Sequence, residues 1–323
     1  MRRIAAALLV PLAACLALVG CGSSSAPSAD SNAAVKVTGS FGKPPKVSIP
    51  AESASANLVI KTPIKGTGPV LKSGDNELAN VALYKWSGAK HSLIESTFPS
   101  GPQMIPSQMG LPGLTAALKG AHLGSRIVAV LPPKYGYGSK GESELQVTGS
   151  DTLVWVIDLI QQFSVGQAAT GPQVSTGGGK LPTVTMKTGQ APAISIPKNA
   201  PPAKESVTTL IKGSGPKLVN GDTVVAEYVG TIWRTGKVFS TTWPTSTQPT
   251  GIPFSFQLGG GVIEGWNTGL AGVTVGSRVM LVIPPSLGYG PDGGQASAGI
   301  KKNDTLVFVI DVLDSQPPAT ASS

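Results

Sequence analysis

Cysteine is almost absent from this chain. Its 323 residues hold two, Cys15 and Cys21, both close to the N-terminus. The rest of the sequence can build neither a disulfide framework nor a thiol nucleophile. Histidine is as scarce, with His91 and His122 standing alone, outside any metal-spaced cluster. No nucleophile elbow of the Gly-x-Ser-x-Gly type occurs. Charged residues make up 13 %, and after Arg2-Arg3 no Lys/Arg cluster is longer than a pair. The formal charge of +8 therefore forms no basic stripe, which argues against a nucleic-acid partner. It is compatible with a weak attraction to anionic lipid head groups.

What is abundant points to β-structure. Hydrophobic residues reach 41 %, enough for real cores, and the chain carries 41 Gly and 28 Pro. That mix suits β-rich domains with many turns rather than a helical bundle. The length suggests about two domains.

The N-terminus reads as a secretion signal. Arg2 and Arg3 form a short positive region, and residues 4–19 are apolar or small apart from Pro11. This run is short for a membrane-spanning helix, which needs about 20 residues. Leu18-Val19-Gly20-Cys21 resembles the bacterial lipobox, which implies that Cys21 is diacylated and becomes the mature N-terminus. Two acyl chains give stable anchoring where one is marginal. A Ser/Ala/Pro-rich run to residue 34 then reads as a flexible tether. The expected location is extracytoplasmic, lipid-anchored to the outer face of the cell membrane. The composition and lipobox suit an actinobacterial lipoprotein.

The remainder repeats itself. Lys65-Gly66-Thr67-Gly68-Pro69 returns as Lys212-Gly213-Ser214-Gly215-Pro216, and Gly74-Asp75 as Gly221-Asp222. Leu123-Gly124-Ser125-Arg126 returns as Val275-Gly276-Ser277-Arg278, and Gly136-Tyr137-Gly138 as Gly288-Tyr289-Gly290. Asp151-Thr152-Leu153-Val154 matches Asp304-Thr305-Leu306-Val307, and the lead-in Val47-Ser48-Ile49-Pro50 matches Ile194-Ser195-Ile196-Pro197. These repeats divide the chain into a signal at 1–20, a tether at 21–34, a first domain at 35–163, a linker at 164–181, a second domain at 182–316 and a tail at 317–323. Residues 167–179, rich in Gly, Thr, Ala and Ser, read as a joint that leaves the domains free to move.

Within the second unit, residues 206–211, 222–233 and 278–284 read as strands, as does 305–313. Thr235-Gly236-Lys237 is a turn into Val238-Phe239-Ser240. Residues 253–258 alternate with Phe254, Phe256 and Leu258 on one face, the period of a half-buried strand. Ile263, Trp266 and Leu270 fall on one face of a short helix, which Gly272 ends. Strands around a single helix make an α+β domain with a mostly antiparallel sheet.

Val262-Ile263-Glu264-Gly265-Trp266, Val275-Gly276-Ser277-Arg278, Gly288-Tyr289-Gly290 and Thr305-Leu306-Val307-Phe308 together resemble the FKBP family of peptidyl-prolyl cis–trans isomerases. The resemblance covers the second unit and, through the repeat, the first. It implies two tandem FKBP-like domains, each a half-open sheet wrapped around one short helix with an apolar pocket between them. Carried over residue by residue, it implies that the pocket is formed by Tyr228, Phe239, Phe254, Val262, Ile263, Trp266, Tyr289, Ile300 and Phe308. Phe256 completes a Phe-x-Phe pair, Trp266 is the floor, and the Ile263 N–H and Tyr289 hydroxyl bind ligand carbonyls. It also implies proline-containing unfolded or secreted polypeptides as substrates, and macrolides such as rapamycin as ligands. No cofactor or metal is required.

The sequence departs from the family in two places. Ser240 stands where the family has Asp, which could lower activity, and Lys301-Lys302 replace a Pro-Pro pair, a change expected to favour acidic segments at the rim. In the first unit Val81 stands for Tyr228, Leu114 for Trp266 and Pro112 for Glu264. Ile94 is the nearest match to Phe239, while Tyr137 and Trp155 persist. The second domain is therefore expected to carry the activity, with the first a scaffold or client-binding unit. Two other readings stay open: a non-catalytic chaperone or peptide-binding lipoprotein on the same scaffold, and a lipoprotein that captures a small apolar molecule.

Overall fold

The computed structural model describes residues 30–105, 110–187, 189–249 and 251–318. Cys21, with the rest of the signal and most of the tether, lies outside the described residues.

The first domain contains β1 (Lys36–Thr38), β2 (Lys46–Ser48), β3 (Val59–Ile64), β4 (Asn76–Ser87), β5 (Lys90–Ser96), β6 (Gln103–Ile105), α1 (Pro112–Leu118), β7 (Arg126–Leu131) and β8 (Thr152–Phe163). The second repeats the order with β9 (Thr183–Thr185), β10 (Ala193–Ser195), β11 (Ser206–Ile211), β12 (Thr223–Ile232), β13 (Lys237–Thr241), β14 (Phe254–Gln257), α2 (Glu264–Leu270) and β15 (Arg278–Ile283). A small pair, β16 (Gly294–Gln295) and β17 (Ile300–Lys301), precedes the closing β18 (Leu306–Gln316). Each domain has one six-stranded antiparallel sheet. Its order is β3-β7-β8-β4-β5 in the first and β11-β15-β18-β12-β13 in the second, with β6 and β14 paired to β4 and β12 respectively.

Each sheet is covered on both faces. The helix side holds the main cores, built around Leu114, Ile127 and Trp155 in the first domain and around Trp266, Leu281 and Phe308 in the second. On the outer face lies a two-stranded ribbon. β1-β2 packs Val35 and Ile49 against Val128, Val130 and Val154, and β9-β10 packs Val184 against Met280, Val282 and Val307. This explains why β7 and β15 are continuous apolar runs, buried at every residue, rather than alternating. Two lead-in sequences that look alike in the repeat are the second strands of these ribbons.

A buried ion pair sits on each outer face. Arg126 Nε and Nη2 donate to Asp158 at 2.6 and 2.7 Å, and Arg278 Nε and Nη2 to Asp311 at 2.5 and 2.6 Å. Fork-to-carboxylate geometry of this kind offsets the cost of burying both charges. The same groups tie down covering backbone. Arg126 donates to the carbonyls of Gly39 and Lys43, and Asp158 and Asp311 accept from the Gly42 and Ala169 N–H groups.

Two expectations need correction. The packed unit takes in residues 30–34, assigned by composition to the tether. Asn32 is fully buried, and its side chain donates to the carbonyls of Ser55 and Asn57. The linker is not a free joint either. Residues 172–175 lie along the end of β11, with the Lys212 N–H donating to Pro172 O and the Val174 N–H to Leu210 O, and the Thr170 N–H donates to Gly276 O. At Gly171 a Cβ would stand 1.9 Å from Lys212 O, so the small residues that suggest flexibility here permit close backbone approach. The domains also share an apolar cluster of Leu78, Phe163 and Val225.

Beside the Arg278–Asp311 pair, Glu227 is fully buried on β12. Burial pushes its carboxyl up to about 8, with the Asp311 carboxylate adding to the rise. The folded state thus keeps a proton that the unfolded chain releases near its ordinary value of 4.5. Stability should be greatest below that value, fall as pH rises toward about 8, and level off above it. Glu227→Gln should flatten this slope and raise stability at pH 8, as read by urea unfolding across the pH range.

Candidate functional site

The pocket of the second domain is assembled around one short helix and one bare backbone position. Ile263 caps α2, and Gly265, Trp266, Gly269 and Leu270 turn inward. At Gly265 a Cβ would meet Ile283 Cγ2 at 2.5 Å, so the helix lies directly on β15. That contact holds the indole of Trp266 beneath a cluster of rings. Tyr228, Phe256 and Phe308 meet it edge-on at centroid distances of 5.2, 5.1 and 5.2 Å. Phe254 stacks on Phe256 at 5.4 Å, and Phe239 meets Phe308 edge-on at 5.6 Å. Such edge-to-face pairs add about 0.5–1.5 kcal/mol each beyond their buried area.

Phe239 reaches this cluster through a β-bulge. The pairing of β12 with β13 runs Gly230↔Ser240 and then Thr231↔Val238, which leaves Phe239 as the extra residue. Its ring and that of Phe308 close over Gly230, where a Cβ would lie 2.8 Å from both. Only glycine leaves room for them.

The rings enclose a cavity of about 790 Å³, within the usual range for small-ligand sites. Tyr228, Phe239, Phe254, Val262, Ile263, Trp266, Tyr289 and Phe308 all line it. Ile300 does not. It is 3 % exposed and faces the core, because β17 pairs with β16 and turns the side chain inward beneath the loop that carries Tyr289. Lys301 and Lys302 do not line the cavity either. The ionisable side chains there are the carboxylates of Glu264 and Asp292, together with the two tyrosines, so the rim is acidic.

Three polar features face the cavity. Tyr228 Oη and Ser240 Oγ share a hydrogen bond of 2.8 Å, so the serine in the family's Asp position still anchors the tyrosine. The Tyr289 hydroxyl bonds to no other described residue, and burial, with Tyr228 nearby, raises its pKa, which keeps it a donor at neutral pH. The Ile263 N–H, at the start of α2, likewise has no partner among the described residues. The carriers of these donors were legible in the sequence. Gly230, Asp292, Gln295 and Ala298 were not: nothing in a Gly/Pro-rich loop tells which side chains turn inward.

The corresponding region of the first domain is filled. Strand register sets Leu83 opposite Glu95 and Trp155, as Gly230 is set opposite Ser240 and Phe308. Ile94 is the bulge residue in the place of Phe239. Leu83 is 1 % exposed and occupies the space above the glycine position. Val81, Leu114, Val147 and Trp155 pack with it into a continuous core, against which Tyr137 and Leu145 rest.

Gly230→Leu should transfer this filled arrangement to the second domain. It should displace Phe239 and Phe308, cost about 1–3 kcal/mol of stability through overpacking, and lower kcat/KM on an X–Pro peptide about tenfold or more. A protease-free isomerisation assay on the full chain checks it.

Comparison with known proteins agrees with this geometry. A family model described as FKBP-type peptidyl-prolyl cis-trans isomerase matches residues 95–160 and 215–313, together just over half of the chain. In the first domain the match begins only after the strand that carries Val81 and Leu83. An FK506-binding protein of Streptomyces anulatus is 38% identical over 125 residues, 38% of this chain and 96% of that protein. A probable FK506-binding protein of Corynebacterium glutamicum is 35% identical over 127 residues, 39% of this chain and 99% of that protein. The FKBP-type peptidyl-prolyl cis-trans isomerase FkpA of Escherichia coli K12 is 42% identical over 112 residues, 35% of this chain and 37% of that protein. On the family match and on near-complete coverage of two small relatives, this chain belongs to the FKBP-type peptidyl-prolyl cis–trans isomerases.

Proposed function

We propose that this isomerase works outside the cell membrane, tethered through Cys21, on proline-containing segments of unfolded or secreted polypeptides, and that its second domain performs the turnover. The observation that carries the division of labour is the open ring-walled cavity over Gly230 against the filled core around Leu83. The tether rests on the signal and lipobox pattern of the sequence.

The chemistry needs no bond to be made. Rotation about a peptide bond costs about 18–20 kcal/mol because it breaks amide resonance. For X–Pro the two isomers differ by only about 0.5–1 kcal/mol, so rate rather than equilibrium is limiting. The twisted imide is less polar than the planar one, and a dry aromatic pocket favours it. That preference for the transition state over the ground state lowers the barrier. In this reading proline rests against Trp266 and Phe308, which line the cavity. The free Ile263 N–H and the Tyr289 hydroxyl are placed to hold the flanking carbonyls, and Tyr228 stays fixed by Ser240. The same apolar wall and donors suit a macrolide, the ligand class in the names of two relatives.

A chaperone role without turnover is the second reading. Ser240 favours it, because a neutral hydroxyl replaces the family's carboxylate beside Tyr228.

Two outcomes test these readings. The full chain should accelerate cis-to-trans isomerisation of a short X–Pro peptide, and Trp266→Leu should lower kcat/KM about tenfold, ~1.4 kcal/mol of barrier. Binding of unfolded protein with no acceleration would establish the chaperone reading instead. In bacterial cells, Cys21→Ser should move the protein from the membrane to the soluble fraction, since no acyl chain would then hold it.

A further inference from the structure

We propose that the first domain braces the catalytic pocket of the second, with Asn76, Gly101 and Met104 as positioning residues that hold β14, and with it the pocket residue Phe254, in place. The inference rests on the isomerase reading for its consequence, but not for its geometry.

β14 is weakly held within its own domain. It has four residues and pairs only with β12, from Thr223↔Gln257 to Ala226↔Phe254. Its alternate side chains face opposite ways. Phe254 lines the pocket and remains 39% exposed, while Phe256 stacks on it from within the buried core. Ser255 turns to the other domain, where its Oγ accepts from the Met104 N–H at 3.3 Å. The chain leading into β14 is held in the same way. Asn76, 1% exposed at the start of β4, donates through Nδ2 to Gly251 O at 2.9 Å. Behind these bonds Leu78, Phe163 and Val225 form one buried cluster, with Met104 and Leu313 packed against it. The surfaces meet closely, for a Cβ on Gly101 would stand 2.5 Å from Thr223 Oγ1. A domain whose own pocket is filled thus abuts a short, singly paired wall of its partner's. Catalytic geometry is sensitive to small displacements of such a wall.

The test uses the full chain and three variants. Asn76→Asp keeps shape but turns an oxygen toward Gly251 O. Gly101→Ala wedges the interface at Thr223 and, at φ +101°, also strains its own backbone. Adding Thr223→Ala to Gly101→Ala removes the atom that the new methyl meets. Amide hydrogen exchange of residues 254–257 is read alongside turnover of a short X–Pro peptide. The first two variants should speed exchange of these amides about tenfold, with the β15 and β18 amides unchanged. They should lower kcat/KM about three- to tenfold, and the double variant should recover both. Unchanged exchange at 254–257 in the first two variants would overturn the brace, whether or not the chain turns over peptide. A double variant as impaired as Gly101→Ala would place that variant's damage in its own backbone strain, and the Asn76→Asp exchange would then decide alone. Absent turnover in the parent chain, with the exchange pattern as expected, would instead remove the isomerase reading and leave the brace.

Discussion

The functional architecture depends on one missing side chain. At Gly230 two phenyl rings from different strands close over bare backbone, each nearer than any Cβ would allow. Phe239 is directed there by a bulge, and Phe308 by the central strand β18. Once both are seated, Trp266 has four edge-on partners and the cavity above it is walled by rings. The first domain has the same strands, the same bulge and the same register, but Leu83 in that place. One aliphatic side chain there, with Ile94, Val81 and Leu114 around it, turns a binding cavity into core. The fold survives because a well-packed apolar interior is what the sheet and helix need from that side.

The other face of each sheet solves a separate problem. A sheet with one face open to water tolerates alternation, but β7 and β15 are buried at every position and apolar at each one after the first arginine. Their outer faces are covered by short ribbons and pinned by the Arg126–Asp158 and Arg278–Asp311 pairs. Arg126, Asp158 and Asp311 bond further to backbone of the covering segments, so these charges are buried with partners rather than stranded. The residues after Phe163 use the same device. They look like a loose linker, yet lie along β11 and end one of their hydrogen bonds on Asp311. Their course, together with the cluster around Leu78 and Val225, seats the two domains against each other.

Much of this was legible in the amino-acid sequence. The internal repeat fixed two units of like topology, and the strand periods located β11 to β15 and β18 within a few residues. Separated motifs identified the family and all the pocket rings, because aromatic side chains at strand and helix positions leave a distinctive order. Ile300 was misplaced because the side of a loop residue depends on which strand it pairs with, and β16 is formed by a Gly-Gln pair with no strand signal. The acidic rim was missed for a like reason. Asp292 faces the cavity only because the loop folds back on Tyr289, whereas Lys301 and Lys302 point away from it.

The sequence alone determined which chemistry is possible here. Beyond residue 21 it holds no cysteine and no metal-spaced histidines, but it supplies aromatic residues and two hydrogen-bond donors in the order of an isomerase. Composition set a β-rich fold, since local periodicity and turn residues are short-range properties of the chain. Only the tertiary structure decided which loop residues line the pocket, how Leu83 fills the matching space in the first domain, and that the linker and the first domain bear on the second. Those outcomes turn on distances of a few ångströms between residues far apart in sequence. The contact of Phe239 and Phe308 above Gly230 is such a distance, and no one-dimensional pattern records it.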